Sequence, residues 1–269
     1  MLRLVVSSQK GGVGKTTTVA NLGHFFADHG FKVLLIDTDP QGQLGTLVGA
    51  DPAPESYLVN FIMYSRSFRD CLTRVADNID ILCSNRDTQK TEAHLSNQIA
   101  RELAFETMLG QVDHPYDVVL IDTQPSINMI QACAMLYAKR ILFPVTMDTL
   151  SFQGIAAACQ TAKSLNNFFN RDVRPVAILP VAVNQSLQMT ELVMEAVRAM
   201  SQSESIPLLS PIRTDAVVPK AIRARKFLAE YDPTSKAAED YATAGGELLN
   251  LMKDQLDARQ LELAVKTAT

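Results

Sequence analysis

Residues 8 to 17 read Ser-Gln-Lys-Gly-Gly-Val-Gly-Lys-Thr-Thr. Three glycines, Gly11, Gly12 and Gly14, let a chain turn its N–H groups inward and approach an anion with no Cβ in the way. Val13 and Thr17 complete the cradle, Lys15 brings a point charge for the β- and γ-phosphates, and the Thr16 hydroxyl suits Mg²⁺. Two groups of carboxylates lie further along: Asp37 with Asp39, and Asp122. A polyphosphate cradle, a hard cation and a spare carboxylate to order water are the parts of phosphoryl transfer to water.

These groups need elements to hold them. Leu2, Leu4, Val5 and Val6 precede the glycine turn as a buried strand, and Thr18 to Phe26 follow it as a helix. A helix beginning near Lys15 adds unpaired N–H groups and the positive end of its dipole. Lys32–Asp37, Ile79–Cys83, Tyr116–Asp122, Ile141–Val145 and Val173–Val183 are further apolar runs. They show no polar alternation, so each reads as a strand covered on both faces. Helices are predicted at 127–138, 151–169, 188–201, 217–229 and 234–258, with helical spacing also over Arg86–Leu109. Alternating strands and helices imply an α/β fold, with a mostly parallel twisted sheet flanked by helices on both faces. One domain is expected over 1–269, with a C-terminal helix at 234–258 and a loose tail at 259–269. Ligand groups of such sheets gather at the strands' carboxyl ends. Residues 7–15, 37–42 and 122–126 all sit at such ends.

The strict pattern G-x-x-x-x-G-K-[ST] is not met, because Gln9 holds the first glycine position. What stands here is K-G-G-V-G-K-T-T, with an extra lysine, Lys10, followed by L-L-I-D-T-D-P-Q-G and V-V-L-I-D-T. In that order these motifs resemble the ParA/Soj group of deviant P-loop ATPases, which also contains MinD and the nitrogenase iron protein, over nearly the whole chain. The resemblance implies ATP and Mg²⁺ as cofactors and a sandwich homodimer. It implies Asp39 as the residue that positions the attacking water, Asp37 nearer the metal with a strand-end cap as the alternative, and Asp122 as the Walker B ligand. It implies that Lys10 reaches the partner copy's phosphates, or neutralises its own nucleotide in cis. Asn184 and Pro211 fall where the group holds adenine, and Phe152-Gln153-Gly154-Ile155 looks like the group's start of a long helix. Gln124 stands where the group usually has proline, and could reach toward the γ-phosphate or face solvent.

Composition narrows the partners. With a formal charge of −4, bulk attraction to nucleic acid is excluded and a local patch is required. Between 213 and 226 five basic residues stand against Asp215 alone. Arg213, Lys220, Arg223 and Lys226 are candidate phosphate contacts, the last three spaced as one helical stripe, with a solvated helix face as the alternative. No base-reading motif is present, so nonspecific DNA is the expected partner, beside a ParB-like stimulating protein. The four cysteines lack metal-ligand or cluster spacing, and the four histidines, His114 among them, are scattered. No run is long enough for a membrane span, and no cleavable leader is read, so a cytoplasmic, nucleoid-associated protein is expected. The competing reading is a MinD-like membrane-positioned ATPase, which needs a basic amphipathic C-terminal helix, whereas residues 247–269 are slightly acidic.

Overall fold

Apolar strands without alternation must be covered on both faces, and the sheet they build here is. In the computed structural model, residues 1–112, 115–126, 128–148, 151–184 and 188–267 are described, with side chains for all of these but 151–153, 188–189 and 266–267. His114, residues 268–269 of the expected tail and the side chains of Phe152 and Gln153 therefore lie outside the described residues.

The elements, in order, are β1 (Leu2–Val6), α1 (Lys15–Asp28), β2 (Val33–Asp37), α2 (Gln43–Leu47), α3 (Leu58–Met63), β3 (Leu72–Ala76) and β4 (Ile79–Leu82). There follow α4 (Thr88–Ser96), α5 (Ala104–Gly110), β5 (Val118–Asp122), α6 (Met129–Ala138), β6 (Arg140–Thr146), α7 (Ser151–Phe169) and β7 (Arg174–Val181). The chain continues through α8 (Gln188–Glu204), α9 (Val217–Ala224), α10 (Leu228–Tyr231), α11 (Lys236–Leu251) and α12 (Ala258–Thr267).

The strands form one seven-stranded sheet in the order β3-β4-β2-β5-β1-β6-β7, parallel except for the β3–β4 pair. Successive strand residues point to opposite faces, and both faces are apolar. Leu4, Val6, Leu35 and Leu120 pack under α1, α2 and α9–α12, while Val5, Leu34, Ile36 and Ile121 pack under α3–α8. Register then fixes the site: Asp122 lies opposite Val6 on one side and Asp37 on the other. The glycine loop and both aspartates thus leave the sheet along one row.

Four expectations change. The helix expected at 217–229 breaks at Arg225, which takes the left-handed region at φ 57°, and resumes as α10. Lys226 therefore lies past the end of α9, and the expected three-residue stripe ends with Arg223. The helix expected at 234–258 stops at Leu251. The tail from 259 is not loose but α12, begun by a reciprocal cap: Asp257 Oδ1 accepts the Gln260 N–H at 2.9 Å, and Gln260 Oε1 accepts the Asp257 N–H at 3.2 Å. Buried Gln260 also donates to Asp117 Oδ1 at 3.2 Å, anchoring α12 under the sheet. The helical run of 86–109 is two helices, interrupted where Ala100 turns left-handed at φ 53°. Strand β3, half-buried and antiparallel at the sheet edge, carries too weak an apolar pattern to be read beforehand.

Candidate nucleotide site

The loop between β1 and α1 turns at Gly12 and Gly14, both at φ 75°, a region that strains any residue with a Cβ. Helix α1 opens directly on Lys15, so its first N–H groups face the loop's mouth. The Lys15 ammonium folds back to donate to the Lys10 carbonyl at 3.3 Å. The Thr16 hydroxyl donates to Asp122 Oδ2 at 2.7 Å, joining the helix start to the end of β5. The other oxygen, Asp122 Oδ1, is buried without a hydrogen-bond partner. A buried carboxylate oxygen left unpaired is costly. Beside a threonine hydroxyl under a phosphate loop, it is an oxygen donor set that suits Mg²⁺ or its water shell.

Asp37 and Asp39 divide as successive residues must. Asp37 is fully buried, and its two oxygens accept the N–H groups of Asp39 at 3.0 Å and Leu44 at 3.1 Å. That is the strand-end cap: the carboxylate holds the turn that leads into α2. Asp39 points into the open cleft of about 520 Å³ that runs beside Gly11–Thr17, where Gln124 also lies. Its Oδ1 accepts the Gln41 N–H at 2.9 Å.

Charges in this site are mutually tuned. Burial pushes Asp122 up to about 7, against the opposing pull of the Thr16 hydroxyl and Lys15. Burial, and then the charge of Asp122, raise Asp37 well above the usual carboxylate range. Burial lowers the Lys15 ammonium, with Asp122 and Asp39 acting the other way. Two close buried carboxylates resist ionising together, so the site favours an added cation.

A second cavity, of about 230 Å³, shares Gly12, Val13, Gly14 and Thr17 with the first. Its walls are the end of β7 (Val181, Ala182), Ile212–Asp215, the start of α9 and Tyr241. Two backbone bonds hold the wall together, Val183 N–H to Ile212 C=O and Thr214 N–H to Val183 C=O, each 3.0 Å. The two segments read from sequence as adenine contacts do meet here, but Asn184 and Pro211 are not among the lining residues. Their neighbours Ala182, Ile212 and Thr214 are. Asp215 is spent on capping, accepting the N–H groups of Val217 at 2.9 Å and Ala237 at 3.1 Å.

Lys10 does not line the phosphate cleft. Its ammonium is ion-paired with Asp148, just beyond β6. The sequence reading does not single out Asp148, which lies two residues past the end of β6, whereas Asp122 is itself the last residue of β5. Of the basic segment, Arg213 is ion-paired within the fold: its guanidinium binds Asp240 at 2.7 Å and Glu239 at 3.4 Å, which balances its charge locally. Lys220 and Arg223 are exposed on α9, and Lys226 is exposed beyond it.

A family model described as an AAA domain (AAA_31) matches residues 1–174. The sporulation initiation inhibitor protein Soj of Bacillus subtilis is 26% identical over 247 residues, which are 91% of this chain and 97% of Soj. The crystal structure of cobyrinic acid a,c-diamide synthase from Mycobacterium smegmatis, with a bound ATP analog and magnesium, superposes with a TM-score of 0.80 at 28% identity, covering 95% of this chain and 97% of that one. An ATP complex of Cyanothece McdA shares the fold, with a TM-score of 0.83 at 20% identity, covering 94% of this chain and 96% of that one. No helix among the described residues is long and apolar enough to cross a membrane. The loop, the strand-end aspartates beside it and a family match over more than half of the chain agree: this chain belongs to the AAA_31 family of AAA domains and is a ParA-type partition ATPase of the MinD/ParA superfamily.

Proposed function

We propose that this chain binds ATP with Mg²⁺, pairs as a homodimer across the nucleotide, and in that state binds DNA without sequence preference until a ParB-like partner stimulates hydrolysis. The observation that carries this reading is the placing of the two loop lysines. Lys15 and Thr16 line the cleft, whereas Lys10 is held outside it by Asp148. A lysine not needed by its own cradle suits a role across a dimer, where its charge would stabilise the transferring phosphoryl group. The magnesium-bound ATP analog in the 28%-identical structure supports the same cofactors here.

In this mechanism the loop N–H groups, the α1 N-terminus and Lys15 bind the phosphates. Thr16 and Asp122 would hold the cation, which would supply charge neutralisation to the phosphates. Asp37 acts one step away, fixing the turn that carries Asp39. The Asp39 carboxylate orients a water for in-line attack, and Ala182 and Ile212–Thr214 enclose the base. Lys220, Arg223 and Lys226 contact the DNA backbone, doubled in the dimer.

Fluorescence anisotropy with a random duplex tests the reading. Affinity is expected only with ATP, and to fall roughly a thousandfold between 50 and 200 mM salt if the dimer neutralises about six phosphates. Lys220→Glu with Arg223→Glu should weaken every sequence alike and leave basal hydrolysis unchanged. Undiminished binding by the double variant places the DNA surface elsewhere. Sedimentation with anionic vesicles in place of duplex would favour the membrane-positioned alternative.

A further inference from the structure

Arg225 belongs by sequence to the basic segment, but the structure uses it differently. Its side chain turns back onto the segment that follows Asp39. Nε donates to the Thr46 carbonyl at 3.3 Å and Nη2 to the Ala50 carbonyl at 2.7 Å. These carbonyls lie at the end of α2 and just past it, and the Thr46 carbonyl also accepts the Gly49 N–H at 3.3 Å. The backbones also abut. Gly49 sits at φ 75°, and a Cβ there would come within 3.0 Å of the Arg225 carbonyl oxygen.

The same contact joins two ends of a continuous path. At one end, Asp37 beside Asp122 fixes the start of α2 through the Leu44 N–H. At the other, Arg225 in the left-handed region terminates α9, the helix that presents Lys220 and Arg223. The opposite end of α9 supplies Val218 and Pro219 to the wall of the smaller cavity. Just past the break, Asn21 of α1 accepts the Leu228 N–H at 2.9 Å. Helix α9 is thus tied to the aspartate turn, to the nucleoside cavity and to the helix that starts at the phosphate loop.

We propose that Arg225 is a positioning residue that couples the segment after Asp39 to α9, so that the nucleotide state sets how α9 presents its basic side chains to DNA. The proposal rests on the reading of α9 as a DNA-contacting helix. A guanidinium can hold two carbonyls in fixed geometry, whereas an ammonium keeps the charge but not the fork. Coupling, and not net charge, is what Arg225→Lys removes.

Two measurements on the full chain decide it. The first compares duplex affinity with ATP and with ADP, in wild type and Arg225→Lys. Coupling energies between sites are worth roughly 5- to 150-fold, so the ATP-to-ADP ratio should fall by about tenfold in the variant, while ATP affinity by calorimetry stays within about twofold. An unchanged ratio overturns the proposal. So does a variant that loses affinity equally with both nucleotides, which would make Arg225 a plain phosphate contact. The second is hydrogen exchange of residues 217–224 with and without ATP, which needs no DNA. ATP should slow this exchange in wild type and not in Arg225→Lys. Exchange in α9 that ignores ATP in wild type, or responds equally in both proteins, overturns the coupling. If wild type binds no duplex at all, the DNA reading alone fails, and the exchange result still decides the role of Arg225.

Discussion

Lys10 and Asp148 form an ion pair within one chain, between the phosphate loop and the end of β6. Asp148 also accepts the Thr146 hydroxyl at 2.5 Å, which fixes its carboxylate. The pair keeps the extra lysine of the loop out of its own phosphate cleft. A lysine that serves a partner copy must first leave Asp148. Since both side chains are about one-third exposed, the pair is worth no more than about 1 kcal/mol. That is strong enough to bias the lysine and weak enough to release it.

Breaking the pair should therefore tune assembly. Asp148→Asn is expected to strengthen ATP-dependent dimerisation by up to about fivefold for each protomer, the equivalent of one such pair. Lys10→Ala should bind ATP normally but fail to dimerise or to respond to a stimulating partner. Light scattering at graded protein concentration reads both, and wild-type assembly by Lys10→Ala would remove the role across the dimer.

Lys15→Ala removes a charged contact to phosphate. A hydrogen bond to a charged group is worth about 1.5–3 kcal/mol, so ATP affinity should fall about ten- to a hundredfold. Isothermal calorimetry with Mg²⁺ present measures it directly. Undiminished affinity would show that the loop N–H groups alone hold the phosphates.

Asp39→Ala should separate binding from turnover. A side chain that orders the attacking water contributes roughly 10²- to 10⁴-fold to rate, whereas the phosphate cradle does not include it. The variant is expected to hold ATP in a persistent dimer with hydrolysis lost, visible as phosphate release falling to background. Turnover at the wild-type rate would move the role to another group lining the cleft, with Gln124 the next to test.

The raised Asp122 carboxyl gives a pH signature without nucleotide. The folded chain holds this proton up to about pH 7, while an unfolded aspartate loses it near 3.8. Between those values unfolding releases a proton, so stability falls as pH rises toward 7 and levels above it. Asp37, also raised, acts in the same direction. Nucleotide-free protein should melt higher at pH 6 than at pH 8, and Asp122→Asn should reduce that difference. Mg²⁺–nucleotide binding should strengthen over the same rise in pH, with proton release detected by calorimetry in two buffers of different ionisation enthalpy. A melting difference between pH 6 and 8 that Asp122→Asn leaves intact would place its origin in other groups.

The chemistry of the phosphate site was legible because it is written locally. A glycine turn between an apolar strand and a helix can do little else than cradle an anion. The non-alternating runs ending at Asp37 and Asp122 required a sheet covered on both faces, with those carboxylates at its ligand-binding edge. Even the cap of α12 was present as Asp257 and Gln260, a spacing of three that has a local meaning.

What only the tertiary structure decided are the pairings between charged or polar groups far apart in the chain. Composition counts Arg213 and Arg225 as two more positive charges beside Lys220 and Arg223. Folding brings Asp240 and Glu239 against the first and the carbonyls of Thr46 and Ala50 against the second, which stays exposed and charged, as do Lys220, Arg223 and Lys226, but with its fork turned onto the backbone. Lys10 meets Asp148 because β1 and β6 are neighbours in the sheet, and no spacing along the chain encodes that. A loop's own backbone can fix an anion site over ten residues. The partner of a long flexible cation is fixed by the packing of elements around it, and so appears only once the chain has folded.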